Sequence, residues 1–285
     1  IEPTNACNLK CPMCPRTILA ENKSENDNSF MIGSMKLDFY KNIIDQAVEM
    51  GVYSVKLNWL GEPLVHKDIV EMVRYAKDNG IIDVMMNTNA VLLDEKMIRD
   101  LINAGLDKIF FSFDSPIKEK YENIRMGASF EETLNNIKMV KKIREELGRD
   151  IPLTRVSMVL MEENKDEYDK FVELFKDIVD VIGYGEYINH QELDNNSRKV
   201  NDRKKIEGFA CSQLWQRMFI SWDGDVIVCC ADSERRYVVG NAHKEKLKNI
   251  WDNQKYKHIR NKHKEGKYNE ISICSKCGLP EISED

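Results

Sequence analysis

The chain has 285 residues, of which 42% are hydrophobic and 32% charged, a balance typical of a folded protein with a hydrophobic core. Its net charge of −6 argues against a general nucleic-acid-binding face, because such faces carry an excess of basic side chains. No apolar run approaches the roughly 18 residues of a membrane span, and none resembles a signal peptide. We therefore expect a cytoplasmic protein without a membrane or nucleic-acid partner. Because Ile1 falls at the end of a predicted strand, we also expect further sequence before it.

Helical and extended patterns alternate through the first two thirds of the chain. They predict helices over 36–50, 67–79, 94–104, 130–147 and 165–177, and strands over 53–59, 83–87, 108–113, 154–160 and 181–187. Repeated β–α units of this kind indicate an α/β fold with a parallel sheet and right-handed crossovers. One more strand before Cys7 brings the series to about six units, which favours a partial (β/α)6 TIM-like barrel over a closed eight-stranded one.

Two polar segments interrupt this pattern. Residues 20–29 predict a mobile loop, and residues 190–207 predict a linker, so we divide the chain into a barrel over 1–205 and a smaller domain over 206–285. In the second part, residues 218–230 predict a hairpin with Asp223-Gly224 at its turn, and residues 246–264 predict a helix. This helix includes His258 and His263, which we expect to be solvated, since the five histidines show no metal-ligand spacing.

The eight cysteines fall into two groups at the two ends of the chain. Cys7, Cys11 and Cys14 lie within eight residues of one another, and the other five follow residue 210. Such grouping is typical of two metal sites rather than of a disulfide framework. In the first group, the spacing CxxxCxxC puts three thiolates on one tight loop. Three ligands leave the fourth iron of a cubane cluster open to an exogenous chelator. A zinc site would need a fourth ligand, and the nearest histidine in sequence is His66; three buried or disulfide-prone cysteines are the remaining alternative.

These three cysteines, with Met13 before the last of them, resemble the signature of the radical S-adenosylmethionine (SAM) superfamily. The resemblance implies a [4Fe-4S] cluster whose open iron is chelated by the amino and carboxylate groups of SAM. It also implies a flavodoxin- or ferredoxin-type reductant, and cleavage of SAM to methionine and a 5′-deoxyadenosyl radical that abstracts a substrate hydrogen.

Three further segments, each at the end of a predicted strand, resemble SAM-binding elements of this superfamily. GEP at 61–63 resembles its GGEP element, with Leu60 in place of the first glycine, and NTN at 87–89 resembles its TNG turn, with Ala90 where glycine is usual. In SFDS, Ser112 and Asp114 resemble the ribose- and carboxylate-facing residues, and Arg125 matches an arginine that meets the SAM carboxylate. A helix cap at Ser112 and a surface ion pair between Asp114 and Arg125 are the alternatives. The resemblance thus implies SAM-binding roles for Met13, Gly61, Glu62, Pro63, Asn87, Asn89, Ser112, Asp114 and Arg125.

Cys211, Cys229, Cys274 and Cys277 form the second set of candidate ligands. Four soft thiolates hold either zinc, as in a structural zinc ribbon, or an iron–sulfur cluster, and the spacing does not decide between them. The run CSQLWQRMFISWDGDVIVCCAD, then GNA, then a helix with IW and a trailing CxxC resembles the SPASM or shortened "twitch" domain. This resemblance implies one auxiliary [4Fe-4S] cluster, and therefore two clusters in all.

Cys230 is the remaining thiol, since the 18-residue interval from Cys211 favours Cys229 as the ligand. It is either a hydrogen donor to a substrate radical or a small packed hydrophobe, and Asp232 is the nearest alternative proton acceptor. We expect a radical SAM oxidoreductase that dehydrogenates a carbinol of a small cyclitol or sugar and passes the electron to the auxiliary cluster. The alternatives are an epimerase that uses Cys230, a peptide-modifying maturase, and a non-catalytic zinc-binding scaffold.

Overall fold

A computed structural model describes residues 1–22, 30–189, 193–194, 198, 203–278 and 281–283. Its main sheet has five parallel strands in sequence order, as the alternating pattern predicted. The strands are β1 Ser54–Lys56, β2 Asp83–Thr88, β3 Lys108–Ser112, β4 Leu153–Leu160 and β5 Val181–Glu186. The helices of this part are α1 Pro15–Glu21, α2 Leu37–Glu49, α3 Ile69–Asp78, α4 Glu95–Asn103, α5 Lys118–Ile124, α6 Phe130–Glu146 and α7 Tyr168–Phe175. The α/β fold class is therefore confirmed, and α1 and α5 are two helices that the sequence analysis missed.

The two faces of the sheet differ in burial, and this difference creates the site. Along β2, β3 and most of β4 every second residue is buried, and Val84, Ile109 and Val156 among them belong to the main hydrophobic core. The residues between them are only partly buried, although a parallel sheet is usually covered on both faces. One face of this sheet is therefore left open and lined by polar and aromatic side chains.

The segment before Cys7 contacts the chain at and beyond β1 without joining the parallel ladder. The amino group of Ile1 donates to the Lys56 carbonyl (2.9 Å), and the Glu62 amide donates to the Ala6 carbonyl (2.9 Å). Its one bridge, between Thr4 and Ser34, is antiparallel. The segment thus lies beside β1, but it is not a sixth strand of the parallel sheet.

The C-terminal part contains a three-stranded antiparallel sheet. The predicted hairpin forms its first two strands, and Gly224 at the turn has a φ of 88°, which suits glycine. Its strands are β7 Phe219–Ile220, β8 Asp225–Ile227 and β9 Val238–Asn241, and β6 Arg203–Lys205 pairs separately with β10 Glu281–Ser283. The helices here are α8 Gln213–Gln216, α9 Leu247–Trp251, α10 Gln254–Lys264 and α11 Ser272–Ser275. No helix among the described residues combines the length and apolarity that crossing a bilayer requires.

Polar and aromatic contacts join the two parts of the chain. The buried Glu2 carboxylate accepts from the amides of Leu60 (3.3 Å) and Trp222 (3.2 Å), and burial raises the pKa of Glu2 to about 7. Phe39 on α2 stacks on His243 with ring centroids 3.5 Å apart. The division at 205/206 stays a prediction. Residues 23–29 of the predicted loop and much of the predicted linker lie outside the described residues.

The single helix predicted over 246–264 is wrong, because Asn253 divides it into α9 and α10. The Asn253 side-chain oxygen accepts from the Tyr256 amide (2.9 Å) and caps α10, while its Nδ2 donates to the Val239 carbonyl (2.7 Å). A residue that bonds to its neighbouring backbone in this way favours a helix start over a helix interior. The break allows α9 and α10 to follow the small sheet separately.

We predict that Asn253→Ala destabilises the C-terminal part by about 1–2 kcal/mol, because it removes both the cap and the bond to β9. Thermal melting of the reconstituted protein should show a fall of a few degrees. Asn261→Ala, an exposed change within α10, is the matched control and should leave the melting temperature nearly unchanged. Equal melting temperatures for the two variants would contradict the assigned cap.

Candidate active site

A cavity of about 410 Å³ lies at the carboxyl ends of the parallel strands. This volume is within the range of small-molecule sites, and the location is where α/β proteins place them. Its wall includes residues from the cysteine loop and from the end of every strand of the main sheet. Most of the residues predicted for the first site meet on this wall: Cys7, Cys11, Met13, Cys14, Gly61, Glu62, Asn87, Asn89, Ser112 and Arg125.

The cysteine loop is held in a compact turn beside a small hydrophobic cluster. The Cys14 amide donates to the Cys11 carbonyl (3.0 Å), and Cys14 then precedes α1, whose first residue is Pro15. Cys11 packs with Leu9 and Met13, and burial raises the pKa of Cys11 to about 11. Burial likewise raises the pKa of Cys7. Since thiolates are the ligating form, binding of a cluster here requires that each thiol loses its proton.

Glu62 links the loop after β1 to the turn after β2 by hydrogen bonds. Its Oε1 accepts from the Thr88 hydroxyl (2.6 Å) and its Oε2 from the Asn89 amide (2.8 Å). The carboxylate is almost fully buried, and burial raises its pKa. Asn89 continues the connection, because its Nδ2 donates to Asn8 Oδ1 (2.9 Å) in the cysteine loop. Glu62 therefore fixes the relative position of three segments in addition to lining the cavity.

Gly61 and Ala90 show why the SAM-binding elements of the family carry glycine at these two positions. A Cβ at Gly61 would lie 2.1 Å from the Thr4 carbonyl oxygen and 2.6 Å from that of Ala6, so only glycine fits. Leu60, in contrast, needs no special conformation, and its side chain is buried. Ala90 has a φ of 64°, the left-handed region, which is the reason that glycine suits this position.

Two predicted SAM-binding residues lie behind the cavity wall rather than on it. Asp114 is fully buried, and its Oδ2 accepts from Arg125 Nε (2.6 Å) while its Oδ1 accepts from the Val159 amide (2.8 Å). Pro63 is buried at the start of a short 3-10 helix. The surface ion pair considered for Asp114 and Arg125 is thus a buried one. It orients the Arg125 guanidinium on the wall.

Two residues fit a donor-rich ligand, Asn87, which was predicted, and Asn58, which sequence reasoning missed. The side-chain oxygens of Asn58 and Asn87 are buried on the cavity wall without a hydrogen-bond partner among the described residues. A buried unpaired acceptor is costly unless a ligand supplies a donor, and SAM carries an ammonium group and hydroxyls. Asn87 was predicted only through its motif; Asn58 sits at the end of the predicted strand 53–59, which was the available signal. The three thiols, these two unpaired acceptors and the cavity of about 410 Å³ together fit a [4Fe-4S] cluster and SAM.

The four cysteines predicted for the second site also come together. Cys211, Cys229, Cys274 and Cys277 line one small cavity of about 30 Å³ between the hairpin, α8, α10 and α11. Burial raises the pKa of Cys274 to about 12. Cys230 is exposed, and its backbone carbonyl accepts from the Trp59 indole N–H (2.7 Å). The pKa of Cys230 is lowered to about 7, chiefly by its interaction with Cys229 and then by Lys56 and Arg217.

Asp232 lies at the second cavity rather than the first. It is fully buried, and its two carboxylate oxygens accept from the amides of Arg236 (2.9 Å) and Tyr237 (2.8 Å). These bonds hold the turn between β8 and β9. The Asp232 carboxylate thus stabilises this turn. Its role as a proton acceptor stays a prediction.

His263 is buried beside the second cysteine set, so its expected solvation is wrong. Only 2% of the residue is exposed. Its Nδ1 accepts from the Cys211 amide (3.2 Å), and its Nε2 lies 3.4 Å from Cys274 Sγ. Because Nδ1 is an acceptor, the proton of the neutral ring is on Nε2, which donates to the sulfur. Burial lowers the pKa of His263 and so favours this neutral form.

The sequence model described as "Radical SAM superfamily" matches residues 1–175. The chain belongs to the radical SAM superfamily. A second model, SPASM, described as an iron–sulfur cluster-binding domain, matches residues 211–278. A [4Fe-4S] cluster and SAM are therefore cofactors of this radical SAM protein, and its SPASM domain is an iron–sulfur domain rather than a zinc ribbon.

Three relatives define what this radical SAM protein is similar to. A GTP 3′,8-cyclase from Clostridium botulinum is 31% identical over 180 residues, which cover 62% of this chain and 51% of that protein. The crystal structure of BtrN in complex with AdoMet and 2-DOIA has a TM-score of 0.60 and 19% identity, with 97% of this chain and 90% of BtrN covered. Streptococcus suis SuiB bound to precursor peptide SuiA has a TM-score of 0.72 and 18% identity, with 91% and 65% covered. The chain spans about half the length of the curated cyclase, and the two structural likenesses show the shared fold.

We predict that Gly61→Ala distorts the first site, because the added methyl group meets backbone atoms that have no rotamer with which to yield. The expected cost is about 3 kcal/mol of stability, seen as a lower melting temperature, together with a loss of SAM cleavage. Gly185→Ala on β5 is the matched control, since a Cβ there meets no atom within 4 Å. A Gly61→Ala protein that melts and cleaves SAM like the control would refute this close packing.

We also predict that His263→Phe makes the auxiliary cluster harder to reduce, because an N–H donor to a ligand sulfur stabilises the added negative charge. The reduction equilibrium should fall about tenfold, which for one electron is about 59 mV. Redox titration followed by EPR measures it, in a Cys7/Cys11/Cys14→Ala background that leaves only the auxiliary site. His263→Gln, which keeps a donor, should restore part of the shift. An unchanged potential at full iron content would exclude this role.

Proposed function

We propose that this protein is a radical SAM oxidoreductase that dehydrogenates a carbinol carbon of a small cyclitol or sugar, with the auxiliary cluster as electron acceptor. The observation that carries the proposal is the contact between Trp59 and Cys230. Trp59 lines the first cavity, and its indole N–H bonds to the carbonyl of the residue that follows the predicted ligand Cys229. This short path of bonds connects the substrate space to the second cysteine set.

When bound, the two clusters and SAM supply a 5′-deoxyadenosyl radical that takes a hydrogen atom from the substrate, and an acceptor for the electron that remains. The chain's own residues bind and orient. Cys7, Cys11 and Cys14 hold the first cluster, Asn58 and Asn87 accept from ligand donors, and the Arg125 guanidinium presents a positive charge. The hydrophobic cluster beside the cysteine loop buries Cys11 and partly covers Cys7 and Cys14.

Conversion of a carbinol to a carbonyl also releases a proton, for which the chain offers two acceptors near the path. Asp232 is fully buried with both oxygens bonded to amides, whereas Cys230 is exposed beside Trp59. We therefore assign the proton to Cys230. A flavodoxin- or ferredoxin-type protein is the proposed source of the electron that starts the reaction.

The exposed thiol of Cys230 also favours a second candidate, a radical epimerase in which this thiol returns a hydrogen atom to the opposite face of the substrate carbon. A peptide-modifying maturase is the third candidate, since SuiB is bound to a precursor peptide whereas BtrN is bound to a small molecule. The dehydrogenase needs a path from the substrate to the second cysteine set, and the Trp59 contact supplies one. The epimerase does not require this path.

Turnover in D₂O separates these reactions. The anaerobically reconstituted protein, with SAM and dithionite, is assayed against cyclitols, aminocyclitols, sugars and short peptides by mass spectrometry. We expect one substrate class to yield a product that is two hydrogens lighter, with one SAM consumed per turnover and no solvent deuterium at the reacting carbon. A product of unchanged formula with one deuterium, abolished in Cys230→Ala, would identify an epimerase.

Two further measurements test the electron path itself. Iron content of about eight per chain, falling to about four in the Cys7/Cys11/Cys14→Ala variant, is the expected result for two cubane clusters. Trp59→Phe keeps an aromatic ring but removes the donor to Cys230, so we expect several-fold less carbonyl product per 5′-deoxyadenosine. Absence of SAM cleavage in the wild-type protein at full iron content would refute the proposed function.

A further inference from the structure

Two cationic side chains, Lys56 and Arg155, lie on the open face of the main sheet, and a third, Arg217, interacts electrostatically with Lys56. Lys56 and Arg155 belong to the open face, as the alternation of β1 and β4 shows, and Arg217 follows α8. In the part of the chain that the structure describes, none of the three forms an ion pair or a side-chain hydrogen bond, and Arg155 Nε is buried without a partner.

Lys56 and Arg155 lie beside the same aromatic ring. The Lys56 Nζ lies 5.9 Å and the Arg155 guanidinium carbon 5.7 Å from the centre of the Phe110 ring. The pKa of Lys56 is lowered, first by burial and also by the positive charges of Arg217 and Arg155, while the neighbouring Cys230 acts in the opposite direction. Three like charges thus share one region, and mutual repulsion makes this arrangement costly until an anion is present.

The chain pairs comparable cations elsewhere. Near the amino ends of the same strands, Lys77, Lys108 and Arg144 each contact an aspartate: Asp107, Asp83 and Asp180 respectively. On the cavity wall, Arg125 is paired with Asp114. Arg155 is half-buried on the same sheet but lacks such a carboxylate, and its buried, unpaired Nε favours a ligand with acceptor oxygens.

This cationic group adjoins the cavity that holds the first site. Arg155 is in register with Phe110 on the neighbouring strand, and Phe110 with Asn87 on the next. Since adjacent strands are about 4.8 Å apart, the Arg155 backbone lies about 10 Å from that of Asn87 on the cavity wall. Lys56 is the last residue of β1, and Asn58, two residues further along the chain, lines the cavity.

We propose that Lys56, Arg155 and Arg217 form a subsite for an anionic group of the substrate, a phosphate or a carboxylate, at a short distance from the reacting carbon. The inference rests on the proposed function and narrows its substrate to a phosphorylated or carboxylated cyclitol or sugar. Arginine and lysine bind such groups by charge-assisted hydrogen bonds, which makes them the suitable side chains. The carboxylate of SAM has a separate candidate in Arg125, which lines the cavity itself.

Calorimetric titration of the reconstituted protein tests this subsite with inorganic phosphate and with citrate as probes, at constant ionic strength maintained by chloride. We expect Lys56→Met, Arg155→Met and Arg217→Met each to weaken binding of the preferred probe about tenfold or more. Arg155→Lys should recover part of the loss. Preference for phosphate indicates a phosphate ester, and preference for citrate indicates a carboxylate.

Lys96→Met is the matched control, because Lys96 is 85% exposed on α4 and its removal lowers the net charge by the same amount. It should bind both probes like the wild-type protein. Equal binding by all variants, or no binding by the wild-type protein, would overturn the subsite. So would loss of S-adenosylhomocysteine binding in Arg155→Met with phosphate binding unchanged, since the cations would then serve SAM.

Different results would refute the proposed function and the anionic subsite. SAM cleavage by the wild-type protein under reducing conditions needs no substrate, so its absence refutes the proposed function whatever the probes do. Conversely, SAM cleavage together with probe affinities that do not depend on Lys56, Arg155 or Arg217 refutes the anionic subsite alone.

Discussion

The close approach between the segment before the cysteine loop and the loop after β1 is the constraint on which the site depends. Gly61 lets the two backbones touch, the Glu62 amide bonds to the Ala6 carbonyl, and the Glu62 carboxylate bonds to the turn after β2. Because this buried carboxylate has its acceptors occupied by fixed donors, the cysteine loop is held against the strand ends before any ligand binds. Such preorganisation is what a site for a reactive intermediate needs.

The two metal-binding parts of the molecule are joined by buried polar contacts rather than by a broad apolar interface alone. Glu2 receives amide hydrogens from both the loop after β1 and the turn of the hairpin, and Trp59 reaches the Cys230 carbonyl. The Glu2 carboxylate is buried, so the loss of either amide bond leaves a buried acceptor without a donor, and that penalty favours the observed relative position of the two parts. The electron transfer that we propose between the two sites would benefit from such a fixed path.

Charged side chains are distributed unevenly over the main sheet. Aspartates near the amino ends of the strands neutralise lysine and arginine neighbours and stabilise the barrel, whereas the open face keeps Lys56 and Arg155 beside Phe110. The net charge of the chain is negative, so this local positive region lies in a protein that would otherwise repel anions. An anion would therefore be attracted by these nearby side chains and not by the net charge of the protein.

The sequence by itself determined the fold class, the order of the β–α units, the two cysteine sets and the GEP and NTN motifs, because these depend on local periodicity and on short spacings. It did not determine which side chains face one another across strands. His263, Asn58, Arg155 and the buried pair of Asp114 with Arg125 acquire their surroundings from segments distant in sequence, and the division of the last long helix at Asn253 depends on a bond to β9. Tertiary structure decided these features, since burial and pairing across a sheet are set only when the chain closes on itself.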